Sequence, residues 1–344
     1  MIDLELSVAT ERFPLANPFV ISRGAKTVAS VVVAEIVSLG LAGRGECVPY
    51  PRYGETTESV VADIEAQFAI LQSHCSGLPA EHVSLGDLRA QLRTSCPAGA
   101  ARNALDCALW DLDLKSARRD GRSSPLSMPR SDKPIETCVT LSLAGPADMA
   151  AEAVRRRTFR TLKIKLAGDL PLDLERLSAI REQRPDARMI VDANEGFSAT
   201  DVGTLIERAS KLGVGLIEQP LPMGADHALA EIARAVAVCA DESVHTTADI
   251  PGLVDRYDAI NIKLDKAGGL TEAMAMVAAA RGAGLGVMVG SMVATSLSMA
   301  PAMIIAAAAD WTDLDSPMLL AKDRDFALTW SDDALSSPDI RLWG

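Results

Sequence analysis

Five times in the second half of the chain an apolar run ends in a charged residue, at a nearly constant interval. LKIK ends on Lys165, MIVD on Asp192, GLIE on Glu218, VCAD on Asp241 and INIK on Lys263, spaced 27, 26, 23 and 22 residues apart. Each interval is about one strand plus one helix with their connections, so the spacing predicts repeated β–α units. Strands are predicted near 137–141, 161–166, 189–192, 215–218, 237–240, 259–264, 286–289 and 312–314. Helical periodicity fills the gaps: 172–184, 199–212 with Ser198 as N-cap and Gly213 past the end, and 270–283 with Gly284 past the end. Eight short strands alternating with helices predict an α/β fold of the (β/α) barrel class. A doubly wound open sheet is the competing layout, weakened because no Gly-x-Gly-x-x-Gly follows the first strand.

Residues 1–125 have a different texture. Strands are predicted at 4–8 and 28–38, with a polar, glycine-containing mobile loop at 17–26 between them and turns at Gly40, Gly43 and Gly45. Helices follow at 57–71, 85–92 and 98–117. The segment 118–134, rich in Pro, Ser and charge, is the predicted boundary.

Composition removes several function classes. With 34 Lys and Arg against 46 Asp and Glu, the net charge is −12, which offers no basic surface to nucleic acid. Arg155-Arg156-Arg157 reads as the solvated end of a helix. The cysteines at 47, 75, 96, 107, 138 and 239 form no Cys-x-x-Cys pair, so they read as reduced and buried, as in a cytoplasmic protein. The N-terminus has neither a basic nor an apolar region of a signal peptide. Residues 282–309 lack charge, but Gly, Ser, Thr and Pro punctuate them. They read as a buried strand (286–289), a loop and a buried helix (298–309), with no membrane span. None of the histidines 74, 82, 227 and 245 has ligand spacing to another; His245 remains a weak site candidate because it closely follows Asp241. Ser291 lies outside any nucleophile-elbow pattern.

In a barrel, the C-terminal strand ends open on one face. Lys165, Asp192, Glu218, Asp241 and Lys263 would then point at one place. Alternation puts Lys163 and Lys165 on the same side of their strand, and two buried ammonium groups require nearby anions. Three carboxylates without His or Cys favour a hard divalent cation, Mg²⁺ first and Mn²⁺ second, which would hold a substrate carboxylate. Lys165 and Lys263 would flank that substrate from opposite sides. A lysine near cations has a lowered pKa and can act as a base, so the pair could remove a proton from one face of a carbon and return it to the other. Taken singly, an Asp at a strand end is ordinarily a helix cap or turn residue, and Asp201 and Asp226 are assigned there. A single strand Lys is ordinarily a solvated edge. The shared register of five such residues outweighs those explanations.

Lys163-x-Lys165, Asp192-Ala-Asn194, Glu218-Gln-Pro220, Asp241-Glu242-Ser243 and Lys263-Leu-Asp265-Lys266-x-Gly268-Gly269 together resemble the muconate-lactonizing subgroup of the enolase superfamily, over essentially the whole chain. The resemblance implies a modified TIM barrel, (β/α)₇β, over 126–319. Over it would lie an α+β capping domain of 1–125, joined by the C-terminal tail from about 320 to 344. It implies that Asp192, Glu218 and Asp241 bind one Mg²⁺ and that Lys165 and Lys263 are the acid/base pair. Lys163 would neutralise the bound carboxylate, with Asn194 and Asp265 as partners of the ligands.

Asp313-Leu-Asp315 resembles the Asp-x-Asp motif of dipeptide epimerases, which grips the α-ammonium of the substrate. Thr140, Ser291 and Met292 resemble substrate-contacting positions, and Arg23 resembles an arginine that meets an acidic second side chain. Ala294 departs from relatives that carry Glu there. The implied activity is Mg²⁺-dependent dipeptide epimerisation, on L-Ala-D/L-Glu from murein peptides. o-Succinylbenzoate synthase or N-succinylamino-acid racemase is the alternative within the superfamily. A Schiff-base aldolase and a non-catalytic binding protein are the alternatives outside it. The expected partners are a small dipeptide and further copies of the chain as a homo-oligomer, with no nucleic acid and no membrane.

Overall fold

A computed structural model describes residues 4–22, 24–76, 84–126, 128 and 133–344. The chain opens with β1 (Glu5–Ile21), β2 (Gly24–Ser38) and β3 (Leu41–Cys47), an antiparallel sheet in that order. The hairpin is longer than its sequence suggests. Of the segment 17–26, expected as a mobile loop, residues 17–21 and 24–26 are the far end of the β1–β2 ladder, with Phe19 opposite Lys26 and Ile21 opposite Gly24. The register shifts between Pro14 and Phe19, where Pro14 and Pro18 have no N–H to give the ladder. That irregularity hides the strand from an alternation test. Arg23 lies outside the described residues.

Gly40 is a turn residue with φ +75, but Gly43 and Gly45 lie within β3. Any Cβ there would run into the backbone carbonyls of Ala108 and Ala104. Those carbonyls belong to α3 (Ala100–Arg119), which lies on the sheet with α1 (Thr57–Ser76), while α2 (Leu85–Ser95) packs against both helices. Sixteen of the twenty residues of α3 are buried, as expected of a helix pressed on both sides.

After β4 (Ile135–Glu136) the alternation begins: β5 (Val139–Leu141), α4 (Pro146–Arg155), β6 (Thr161–Lys165), α5 (Leu170–Gln183), β7 (Arg188–Asp192), α6 (Val202–Lys211), β8 (Val214–Glu218) and β9 (Ala237–Ala240). It continues with β10 (Ala259–Ile262), α7 (Leu264–Ala267), α8 (Leu270–Gly282), β11 (Gly286–Val289), α9 (Ser296–Ala306) and β12 (Trp311–Thr312). β5 to β12 form one parallel sheet of eight strands in sequence order. Cys138 N–H donates to Thr312 O at 2.9 Å, joining the last strand to the first. The result is the expected (β/α)₇β barrel with an α+β cap. The β8 and β9 crossovers carry only short 3₁₀ turns, at His227–Ala230 and Ile250–Gly252, which explains a compact barrel.

Two local expectations differ. The sixth helix begins at Val202, not 199: Ser198 gives its hydroxyl to Asp201 Oδ2 (2.6 Å), and Asp201, at the N-cap, makes no side-chain cap bond. The last strand stops at Thr312, so Asp313 and Asp315 stand beyond it. The uncharged stretch resolves into β11 and a fully buried α9. Among the described residues no helix is long and apolar enough to cross a membrane. All six cysteines are free and buried.

The tail ties the parts together. β13 (Trp330–Ser331) and β14 (Ala334–Leu335) extend β4 antiparallel. Leu320 bridges Leu15, and Trp343 gives its indole N–H to Cys107 O at 3.2 Å.

Candidate functional site

Register aligns the charged strand ends: Lys165 lies opposite Asp192, and Asp192 opposite Glu218. Lys165 Nζ stands 2.5 Å from Asp192 Oδ2. Lys163 Nζ lies 2.6 Å from Glu218 Oε2, 2.6 Å from Asp313 Oδ2 and 3.3 Å from Asp192 Oδ2. Lys263, just past β10, places Nζ 2.6 Å from Asp241 Oδ2, and Lys266 reaches Asp241 Oδ1 at 2.6 Å. All of these residues except Lys263 are buried. The five strand-end charges therefore meet in one interior.

Electrostatics differ from expectation at the lysines. Burial disfavours the ammonium of Lys263, but Asp241 and Glu218 outweigh it and raise its pKa. Lys163 is raised in the same way, with Asp313, Glu218 and Asp192 overcoming burial. Carboxylates, not other cations, dominate each lysine's surroundings. Burial likewise opposes the charged forms of Asp192 and Asp241. Lys165 and Lys163 nevertheless hold Asp192 well below the carboxylate range, and Lys263 with Lys266 does the same to Asp241. Glu218 goes the other way, pushed up to about 7 by burial and by Asp192.

Among the described residues no group of three or more His, Cys, Asp or Glu is arranged as it stands to hold a metal ion. An ammonium group rests on each of Asp192, Glu218 and Asp241. The donor set nevertheless fits a hard cation. It is all carboxylate oxygen and fully interior, and it comes from three successive barrel strands or their ends. Glu218 Oε2 lies near Lys163 but makes no hydrogen bond of acceptable geometry, while its Oε1 accepts from Asn261 Nδ2 at 2.7 Å.

The remaining sequence candidates divide between those that line the cavity and those that do not. Thr140, Asn194, Ser291, Met292, Asp313 and Asp315 line the same cavity as the lysines. Within it, Thr140 N–H donates to Asp315 Oδ2 at 2.6 Å and Cys138 Sγ donates to Asp313 Oδ1 at 3.3 Å. Asp315 is pushed up to about 7 by burial and by Asp313. Asn194, with φ +45, gives its backbone N–H to Asp192 Oδ1 at 3.0 Å.

Asp265 faces elsewhere. Its Oδ1 accepts from Val48 N and Asn103 Nδ2, both 2.9 Å, so it joins the barrel to the cap. His245 does not line the cavity; it meets, edge-on at 4.6 Å, the ring of Tyr53, which does. Asp226, assigned to the turn class, is buried and accepts from Tyr257 Oη (2.6 Å), Ser243 Oγ (2.7 Å) and Arg256 Nη1 (2.6 Å).

Sequence reasoning quoted Gln219 and Lys266 in its motifs without giving them a role, and it did not find the tyrosine wall of the cap. Gln219 Oε1 accepts from Asp241 N (2.8 Å) and Ser243 N (3.2 Å), locking two strand ends together. Lys266 also donates to Asp241 O. Phe19, Ile21, Lys26, Tyr50 and Tyr53 close the cavity from the cap side. The one available signal was the pair of tyrosines in the Pro-rich turn YPRYG.

Residues 3–121 match the model described as "Mandelate racemase / muconate lactonizing enzyme, N-terminal domain", and residues 146–336 match "Enolase C-terminal domain-like". L-Ala-D/L-Glu epimerase of Escherichia coli strain K12 is 41% identical over 332 residues, 95% of this chain and 97% of that protein. N-acetyl-D-glutamate racemase of a Pseudoalteromonas species is 39% identical, over 91% of this chain and 95% of that protein. An Agrobacterium tumefaciens enolase family member with homology to dipeptide epimerases was solved with bound sodium and L-Ala-L-Glu. It superposes with a TM-score of 0.89 at 46% identity, covering 99% of this chain and 100% of that one. A Methylococcus capsulatus dipeptide epimerase complexed with Mg and L-Arg-D-Lys gives 0.85 at 29%, covering 98% of each chain.

Proposed function

The chain belongs to the mandelate racemase / muconate lactonizing enzyme family of the enolase superfamily, and from that premise we propose that it is a dipeptide epimerase acting on L-Ala-D/L-Glu. One observation carries the reading. Two carboxylates, Asp313 and Asp315, share an interior with two strand-end lysines and three further carboxylates. A dipeptide presents the complementary set: an α-ammonium at one end, an α-carboxylate at the other, and a hydrogen next to that carboxylate.

Asp192, Glu218 and Asp241 are the residues that would hold Mg²⁺. When bound, the ion supplies positive charge beside the substrate carboxylate, which acidifies the α-hydrogen. Lys163, among these carboxylates, adds a second positive charge near the same group. Lys165 ends β6 and Lys263 follows β10, half-way round a ring of eight strands. Their amines thus approach the α-carbon from opposite faces. One takes the α-proton, and the other gives a proton to the far face, inverting the centre. Lys165 rests on Asp192 and Lys263 on Asp241, so each amine is held beside the carboxylates that would hold the ion. Asp313 and Asp315 receive the α-ammonium, with Thr140 N–H fixing Asp315.

Glutamate as the second residue is supported by the relatives. The names of the two proteins near 40% identity both specify glutamate or a derivative, and the Agrobacterium structure holds L-Ala-L-Glu. An N-acylated glutamate carries no ammonium and would leave the Asp313/Asp315 pair unanswered, so the dipeptide is preferred. The test is α-deuterium incorporation in D₂O, read by mass spectrometry, with L-Ala-L-Glu, L-Ala-L-Gln and N-acetyl-L-glutamate. Exchange and epimer formation are expected with L-Ala-L-Glu, lost in chelator and restored by Mg²⁺. Exchange confined to N-acetyl-L-glutamate, or seen with no substrate, refutes the reading.

A further inference from the structure

The Glu218 carboxylate is gripped from two sides by side chains of one interior layer. Lys163 stands two residues before Lys165 on β6, and Asn261 stands on β10, two residues before Lys263. Alternation puts each of them one level below the lysine that follows. Glu218 ends β8, midway between those two strands in the sheet. Lys163 Nζ lies 2.6 Å from Glu218 Oε2, and Asn261 Nδ2 donates to Glu218 Oε1 at 2.7 Å. A carboxylate oxygen only accepts, so the amide must present its nitrogen there.

Packing alone does not call for an amide at this position. Asn261 is fully buried, and among the described residues its Oδ1 has no hydrogen-bond partner. A leucine of similar shape would fill the space without an unanswered carbonyl. The space itself is kept open from behind. A Cβ on Gly290, just past β11, would fall 2.7 Å from Asn261 Oδ1 and 2.8 Å from Asn261 Nδ2. The backbone at Gly290 is not left-handed, so its missing side chain serves the amide rather than a turn.

We propose that Asn261, seated on Gly290, is a positioning residue that keeps Glu218 Oε1 occupied and leaves Glu218 to offer a metal ion a single oxygen. This rests on the reading of Asp192, Glu218 and Asp241 as holders of Mg²⁺ and adds to it a device that selects the ion. An oxygen that faces an amide hydrogen is a poor second ligand, because that hydrogen carries positive charge of its own. Mg²⁺ demands a tight octahedron that suits one oxygen from a carboxylate. Ca²⁺ tolerates more ligands at longer distances, including both oxygens of one carboxylate. Single-oxygen presentation therefore favours the smaller ion.

The test is calorimetric titration of the chelator-stripped protein with MgCl₂ and with CaCl₂, for wild type, Asn261→Leu and Gly290→Ala. Asn261→Leu keeps the shape and removes the donor. Gly290→Ala retains Asn261 and displaces its amide from behind, which supplies the same loss by a separate route should Asn261→Leu fail to fold. Each variant is expected to bind Mg²⁺ roughly tenfold or more weakly while Ca²⁺ binding holds or strengthens, so the preference for Mg²⁺ over Ca²⁺ drops by at least that factor. A merely loosened cavity would weaken both ions alike. Affinities that fall together, or that do not move, overturn the assignment; the epimerase reading survives that result if wild type still exchanges L-Ala-L-Glu in Mg²⁺. Wild-type protein that binds neither ion and exchanges no dipeptide overturns both.

Discussion

Asp313 answers two demands at once. It accepts from Lys163 Nζ at 2.6 Å and from the Cys138 thiol at 3.3 Å, and it is one of the two carboxylates assigned to the substrate ammonium. Asp313→Asn keeps the shape and removes the charge. Lys163 would still have Glu218 and Asp192 beside it, so the carboxylate cluster survives. Turnover of L-Ala-L-Glu is expected to fall roughly a hundredfold or more, the usual cost of removing one partner of a buried charge pair. Mg²⁺ binding, followed by calorimetry, should change little. Unimpaired turnover would remove Asp313 from substrate binding. The strand-end charges were readable from sequence because a strand's period of two and a barrel's shared mouth dictate where they point. Which lysine rests on which carboxylate was not readable, because that depends on side-chain packing across strands. The partners of Asp226 and Asp265 were not readable either: one secures Ser243 and the other Val48, which only the folded chain brings near.

At the scale of elements, the turn after β10 shows how tightly cap and barrel are fitted. Gly268 and Gly269 have φ of +77 and +110, and a Cβ on Gly269 would fall 2.5 Å from Asp106 of α3. Gly269→Ala therefore combines backbone strain with a clash against a buried helix. It should lower stability by about 3 kcal/mol or more, read as the urea midpoint; an unchanged midpoint would mean that α3 can yield there. Asp106 itself accepts from Thr271 N (2.9 Å) and Thr271 Oγ1 (2.6 Å) at the start of α8. Burial pushes its carboxyl up to about 6 from 3.8. The folded state thus binds this proton more tightly than the unfolded chain does. The group's favourable contribution is complete below about pH 4 and is lost as pH rises through 6, a change on the order of 2–3 kcal/mol at most. Asp106→Asn should flatten the pH dependence of stability over that window. Strands and helices with clean periodicity were legible in advance. The outer half of the β1–β2 hairpin was not, since Pro14 and Pro18 break the ladder and with it the pattern.

At the scale of the whole molecule, Glu46 joins three segments that are far apart in sequence. From β3 it accepts from Thr295 N (2.8 Å) and Thr295 Oγ1 (2.5 Å) at the start of α9, and from Arg324 Nη2 (2.7 Å) in the tail. Burial pushes the Glu46 carboxyl up, and Arg324 pulls it only part of the way back. Thr295 lies two residues beyond Val293, the last of the Ser291, Met292 and Val293 wall of the cavity, where Ser316 also accepts from Ala294 N and donates to Met292 O. The contact that docks the cap therefore also sets the backbone of the substrate wall. Glu46→Ala would strip Thr295 N–H of its acceptor and leave Arg324 with Glu11 as its remaining acidic partner. Because Glu11 still answers part of the charge, the loss should sit near the low end for a broken buried pair, roughly 2–4 kcal/mol. The same substitution should raise KM for L-Ala-L-Glu more than it lowers kcat, since the wall loosens while Lys165 at the end of β6 and Lys263 just past β10 stay in place. A lowered urea midpoint with an unchanged KM would confine Glu46 to holding the fold together. If neither quantity moves, the three segments dock independently of it.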